Sequence, residues 1–181
     1  LTGPNLTAAA AAKLKQWVRN GGTLWLTAGA ASRDEFNRQL QVLDDILPAK
    51  RGELVELQKH QSSGRYLAML AAKDEVKWDG GKAAVLSVKQ SLTANAGTTT
   101  LATFKDNSAS IMHGTAGKGT VYCCGFLPAL AYIKSALDYR NALQKKLDDK
   151  AALSAAEQAE AALLERSYNP WKFPADLRDL I

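Results

Sequence analysis

Cysteine is scarce in this chain. There are two in 181 residues, and they are neighbours, Cys123-Cys124. Adjacent residues on a strand point to opposite faces, so this pair does not close a disulfide of ordinary geometry. Histidine is as rare, with only His60 and His113, far apart in sequence, and no CxxC is present. A structural zinc site therefore lacks its ligand set, and neither a metal nor a cofactor is expected. No apolar run approaches the ~20 residues that cross a bilayer, so no membrane insertion by this segment is expected. A basic-then-apolar leader is also missing from the start. The chain opens on Leu1 rather than Met, from which an excised or processed piece of a longer protein is expected. Lys and Arg outnumber Asp and Glu by 23 to 18, giving a net charge of +5. These cations are scattered, with only short pairs such as Lys50-Arg51 and Lys145-Lys146. Nucleic-acid binders gather theirs on one face, so a solvated basic surface is expected and a nucleic-acid partner is not.

What is present suits a globular domain with a real core. Apolar residues make up 46% and charged residues 23%, and the length allows one domain plus an appendage. The stretch 7–20, TAAAAAKLKQWVRN, predicts a helix capped by Thr7, with Leu14, Trp17 and Val18 as a core-facing stripe. Gly21-Gly22 ends it, and TLWLTA, 23–28, follows as a buried strand. A buried strand directly after a helix suggests an α/β sheet covered on both faces. Next, Ser32 and Glu35 have the spacing of a capping box, and Phe36, Leu40, Leu43 and Leu47 repeat at helical spacing before Pro48. This predicts strand, tight turn, helix.

From 52 to 113 the pattern shortens. ELVELQ, YLAML, EVKWD, AAVLSVK, TTTLATFK and ASIMHG read as strands, though YLAML is equally compatible with helix. Turns are expected at Ser62-Ser63-Gly64, Gly80-Gly81, Asn95-Ala96-Gly97 and Asp106-Asn107. GKGTVYCCGF then predicts a turn and a buried strand. From Ala129 the chain returns to helix, with Tyr132, Ala136, Tyr139 and Leu143 on one face. Ser154 and Glu157 predict a second capping box, opening a helix to about Arg166. The tail SYNPWKFPADLRDLI carries Trp171 and Phe173, suited to docking on another domain or to gripping a sugar ring.

The stretches NGGTLWLTAGA and CCGFLPA, in this order, resemble the class I glutamine amidotransferase-like superfamily. There a helix ends in Gly-Gly, a strand delivers a nucleophilic cysteine at an elbow, and a later strand leads into Gln-Phe-His-Pro-Glu. Matched residue by residue, the nucleophile position holds Thr27, the histidine position Leu127 and the glutamate position Ala129. A hydroxyl without a proton acceptor is inert near neutral pH, so the resemblance implies a degenerate, non-catalytic member. Within the superfamily, WVRNGGTLWLTAGAASRDEF and GKGTVYCCGFLPAL are similar to the middle domain of some β-galactosidases. That likeness implies a role in assembly beside a separate barrel domain. The superfamily resemblance covers about residues 5 to 135. The family places further strands before the first helix, whereas only LTGPN precedes it here. The missing strands are expected either to have been cut away or to come from another segment or subunit.

The expected fold is thus α/β: a flavodoxin-like three-layer sandwich of amidotransferase-like type, with a β-rich insertion and a helical C-terminal extension. Residues 1–137 are expected to form an amidotransferase-like α/β domain that lacks its N-terminal strands, and 138–181 the helical extension. The expected function is non-catalytic: assembly or binding within a larger, carbohydrate-active protein. Its partners would be other domains of the parent chain, a second copy, or carbohydrate. The alternatives are a small-ligand or sugar-binding module and a hydrolase using Cys123 or Cys124 with His113 as base. Each residue also has a plainer reading. The cysteines fit a buried strand, and His113 fits a strand end. GTAGKG lacks the spacing of a phosphate loop and fits a hairpin turn. Asp34 and Glu35 fit helix capping rather than general-acid work. No catalytic, cofactor or metal residue is assigned.

Overall fold

The computed structural model describes residues 1–56, 72, 74–166 and 172, with Glu165 and Arg166 described for backbone alone. Among these, eight strands and three α-helices form a mixed α/β architecture around one curled sheet. The YLAML segment, the Ser62-Ser63-Gly64 turn, His60, Trp171 and Phe173 lie outside the described residues.

Helix α1, Ala8–Arg19, starts where expected: the Thr7 hydroxyl accepts from the Ala10 amide at 3.1 Å. Ala11 and Val18 are buried, and Leu14 packs against the same core. Trp17 departs from expectation. It is 52% exposed, and its ring lies over Gly22, where an added Cβ would come within 2.5 Å of it. The indole shields the turn that follows α1 instead of entering the core.

Strand β1, Thr23–Leu26, runs parallel to β8, Gly119–Cys124. Among the described residues, every other pairing between these strands is antiparallel. The sheet runs β1-β8-β7-β6-β3-β4, where β3 is Asp74–Trp78, β4 Gly81–Val85, β6 Thr99–Phe104 and β7 Ala109–Ala116. Strands β2, Ala49–Glu56, and β5, Val88–Ala94, form a ribbon that joins β7 through β5. Along the other edge of β1, the Leu1 ammonium donates to the Trp25 carbonyl at 2.7 Å, and the Thr27 amide donates to the Leu1 carbonyl at 3.1 Å. This brackets Leu26 as a parallel neighbour would.

The helix predicted from Ser32 to Leu47 does not form. Only a 3₁₀ turn, Asp44–Ile46, occurs there. Asp34 is the cause: its Oδ1 accepts from the Phe36 and Arg38 amides, each at 2.8 Å, and its own amide donates to the Arg38 carbonyl. A short acceptor side chain thus competes with the helical ladder and closes a tight loop, with Asn37 at φ +62°. Leu40, Leu43 and Leu47 are still buried, while Phe36 is 69% exposed under the Arg38 guanidinium. Glu35 caps a helix, but not its own: its carboxylate accepts from the Ala8 amide at the start of α1, at 3.0 Å.

GTAGKG is the β7–β8 hairpin turn, with Gly117 at φ +62°. This turn docks on the end of α1. The Lys118 amide donates to the Arg19 carbonyl at 2.9 Å, and a Cβ on Gly119 would lie 1.9 Å from the Val18 carbonyl oxygen. Glycine at 119 is what lets helix and sheet meet so closely. After β8, Pro128 opens α2, Pro128–Asp148, whose Ala131 packs with Ala83 of β4 and whose Ala136 and Leu143 are buried as expected. Helix α3, Ala155–Arg166, begins with the expected box: the Glu157 amide donates to Ser154 Oγ at 3.2 Å, and the Ser154 amide to Glu157 Oε2 at 2.9 Å. Two apolar clusters lie on opposite faces of the sheet. One holds Val18, Leu26, Leu43, Met112 and Cys123, the other Val76, Phe104, Phe126, Ile111 and Cys124.

A closed elbow at the end of β1

In open α/β sheets, ligands and reactive side chains gather at the carboxyl ends of parallel strands. Here that place is the turn 27–31 after β1, with Gly29 at φ +74° and Ala31 at φ +47°. Thr27 is buried, and its hydroxyl donates to the Leu1 carbonyl at 3.4 Å. A peptide carbonyl is no base, so nothing in this contact removes the proton.

Oxyanion stabilisation needs free backbone N–H groups aimed at one point. The amides of this turn are already committed. Ala28 donates to the Phe126 carbonyl at 3.3 Å, Ala30 to Thr27 at 3.0 Å and Ala31 to Gly3 at 2.9 Å. Gly29 donates to Gln90 Oε1 at 3.0 Å. Gln90 is 5% exposed, and its Nε2 donates in turn to the Gly52 carbonyl at 3.0 Å. The Arg51 guanidinium donates to the carbonyls of Ala30 and Ala31. The β2–β5 ribbon therefore staples the elbow shut through one carboxamide and one guanidinium. Neither was visible in the sequence. Gln90 sits in an ordinary alternating strand 61 residues from Gly29, and Arg51 reads as half of a surface Lys-Arg pair.

Leu127 is the residue before α2 and Ala129 lies in its first turn, exposed. Neither side chain can take a proton or orient a group that does.

The two thiols face opposite clusters, as adjacent strand residues must. Burial pushes the Cys123 thiol up to about 11 and the Cys124 thiol up to about 12. Cys124 Sγ donates to the Phe126 carbonyl at 3.4 Å. An activated thiolate requires the opposite environment, electropositive and partly open. His113 lies inside β7 rather than at a strand end. It pairs with Tyr122, ring centroids 5.0 Å apart, and Tyr122 stacks on Trp25 at 5.1 Å. The imidazole thus belongs to an aromatic row across β7, β8 and β1, on the face opposite Cys123.

Asp34 and Glu35 are engaged structurally. Burial works against the Asp34 carboxylate, but the Arg38 and Phe36 amides and the Arg38 guanidinium outweigh it and hold the pKa below its ordinary value. Such a group stays ionised and has no proton to give near neutral pH. Among the described residues, no group of three or more His, Cys, Asp or Glu side chains is placed to hold a metal ion, and no helix is long and apolar enough to cross a membrane.

The fold is one found within GH42 β-galactosidases. No protein-family model matches the chain, and no curated protein does. Among solved structures, it is similar to Gan42B, a GH42 β-galactosidase from G. stearothermophilus, at TM-score 0.57 and 20% identity, over 80% of this chain and 20% of that one. It is also similar to the cold-adapted β-galactosidase from Rahnella sp. R3, at TM-score 0.56 and 16% identity over 76% and 22%. The β-galactosidase from Bacillus circulans sp. alkalophilus follows at 0.54 and 15% over 74% and 20%. This chain spans about a fifth of the length of each.

Proposed function

We propose that this chain is a non-catalytic assembly domain of a larger, carbohydrate-active protein, a degenerate amidotransferase-like unit whose elbow has become structural. The observation that carries this reading is the closure of the turn 27–31. Its hydroxyl is bonded to a carbonyl, its amides are bonded to protein acceptors, and the two remaining triad positions are Leu127 and Ala129. Likeness to a fifth of several β-galactosidases supports a part played inside a longer protein. In this reading α1, β1 and β8 belong to a flavodoxin-like three-layer core. The strands β2 to β7 are the β-rich insertion, and residues 138–181 are the extension, with α2 bridging the two at 137/138. The partners are neighbouring domains or a second copy, and no catalytic, cofactor or metal residue is assigned.

Deleting this segment from the full-length protein tests the assignment. The deletion is expected to lower the native mass measured by light scattering while Thr27→Val in the intact protein leaves turnover unchanged. An unchanged native mass on deletion, or turnover abolished by Thr27→Val, contradicts it.

A further inference from the structure

Strand β1 is paired on one side. Gly22, Leu24 and Leu26 direct their backbone groups to β8: the Thr120 amide donates to the Gly22 carbonyl at 3.1 Å, and the register sets Leu24 beside Val121 and Leu26 beside Cys123. By strand alternation, the N–H and C=O groups of Thr23 and Trp25 point to the outer edge. One residue already sits there. The Leu1 ammonium donates to the Trp25 carbonyl at 2.7 Å, and the Leu1 carbonyl accepts from the Thr27 amide at 3.1 Å. This is one step of a parallel ladder, and a peptide N–H at Leu1 would make the first bond as the ammonium does. One step back along β1, the Trp25 amide and the Thr23 carbonyl have no backbone partner among the described residues.

This edge is unguarded. Sheets protect an open edge with charge, proline or a bulge. Strand β2, which among the described residues pairs with β5 alone, is protected in this way. Lys50, Arg51, Glu53 and Glu56 lie along it, and its register shifts between Arg51 and Leu54. Strand β1 reads TLWL, with no charge, no proline and no shift in register. Leu24 and Leu26 belong to the core cluster on the α1 side, and Trp25 packs against the cluster on the opposite face. A strand added at this edge would therefore find apolar neighbours on both faces.

We infer that the outer edge of β1 seats a further parallel strand, formed by the residues that precede Leu1 in the longer protein. Leu1 sets its direction and register. Leu1 stands beside Leu26, so the residue before it stands beside Trp25 and the one before that beside Leu24. The N–H of this last residue donates to the Thr23 carbonyl, and its C=O accepts from the Trp25 amide. A strand from a second copy would have to end where Leu1 begins, whereas a preceding segment reaches the seat without a turn. The inference rests on the reading of this chain as part of a longer protein, but not on the assembly role.

Residue-resolved hydrogen exchange tests this on two proteins: the chain 1–181, and the same chain carrying about ten of the residues that precede Leu1, enough for a strand. The Leu26 amide, which faces β8, is the internal reference. In 1–181 the Trp25 amide is expected to exchange close to the rate of an unstructured peptide. In the extended chain it is expected to slow by roughly 100-fold or more, with Leu26 unchanged. Equal Trp25 exchange in the two proteins would overturn the inference. So would Trp25 protection in 1–181 that fades on dilution, which would give the edge to a second copy. A longer protein with too few residues before Leu1 to make a strand would overturn it as well. The assembly role is read from native mass, so either proposal can fail alone.

Discussion

Gln90 shows what one buried side chain can decide. Both ends of its carboxamide are committed, to the Gly29 amide and the Gly52 carbonyl. Gln90→Ala strands the buried Gly29 amide, and a stranded buried polar group costs about 1–3 kcal/mol. Urea unfolding of this variant is expected to show a loss of about 2 kcal/mol, and a loss within error of zero would mean that water replaces the staple freely. The thiols give a second residue-scale expectation. With Cys123 raised to about 11 and Cys124 to about 12, neither is a thiolate near pH 8. Both are expected to resist an aromatic disulfide reagent in the folded chain and to react at once in concentrated urea. The burial of both cysteines could be read from TVYCCGF because apolar neighbours on a strand predict it. The staple could not, because no local pattern marks a glutamine whose partners lie on two other segments.

Helix starts with a local capping signal are read correctly save one, whereas AAVLSVK, expected as one strand, is broken between β4 and β5 where Ser87 takes φ +68°. Thr7 and the Ser154–Glu157 pair mark real helix starts. The same spacing at Ser32–Glu35 misleads, because Asp34 between them captures the Phe36 and Arg38 amides first. Leu40, Leu43 and Leu47 then reach the core from a loop, so helical spacing here records burial without helix. The GKG turn was read as a hairpin, but its docking on α1 depends on a contact across the fold. Gly119→Ala is expected to cost about 3 kcal/mol by forcing backbone apart, checked by urea unfolding against Gly3→Ala, where no heavy atom lies within 4 Å of an added Cβ. A nearly neutral Gly119→Ala would show that the hairpin and helix are not tightly joined. A charge cluster links β5 to β3 and the β6–β7 turn. Lys89 Nζ meets Asp74 at 2.6 Å and Asp106 at 3.0 Å. The Ser108 hydroxyl and amide, then Lys89, lower the Asp106 pKa from 3.8 to about 2. Its folded value lies below its unfolded one, so the contribution is present above about pH 4 and is lost as pH falls through about 2. Urea midpoints are expected to drop across that window, less steeply in Asp106→Asn. Equal slopes in both proteins would remove Asp106 from the explanation.

At the scale of the whole molecule, a parallel pair at one edge is joined to a larger antiparallel sheet. The sequence shows β1 through a Gly-Gly stop and an apolar strand, but not its parallel pairing with β8. It left the β2–β5 ribbon as a string of short strands, because strand order is set by long-range pairing. That ribbon is what closes the elbow. The assembly role follows only if the elbow stays closed in solution, since an elbow that opens frees its amides and the Thr27 hydroxyl. Residue-resolved hydrogen exchange on the folded chain measures this directly. The amides of Thr27, Ala28, Gly29, Ala30 and Ala31 are expected to be protected to the level of β8. Exchange of these five at the rate of an unstructured peptide, while β8 stays protected, would contradict the closed elbow.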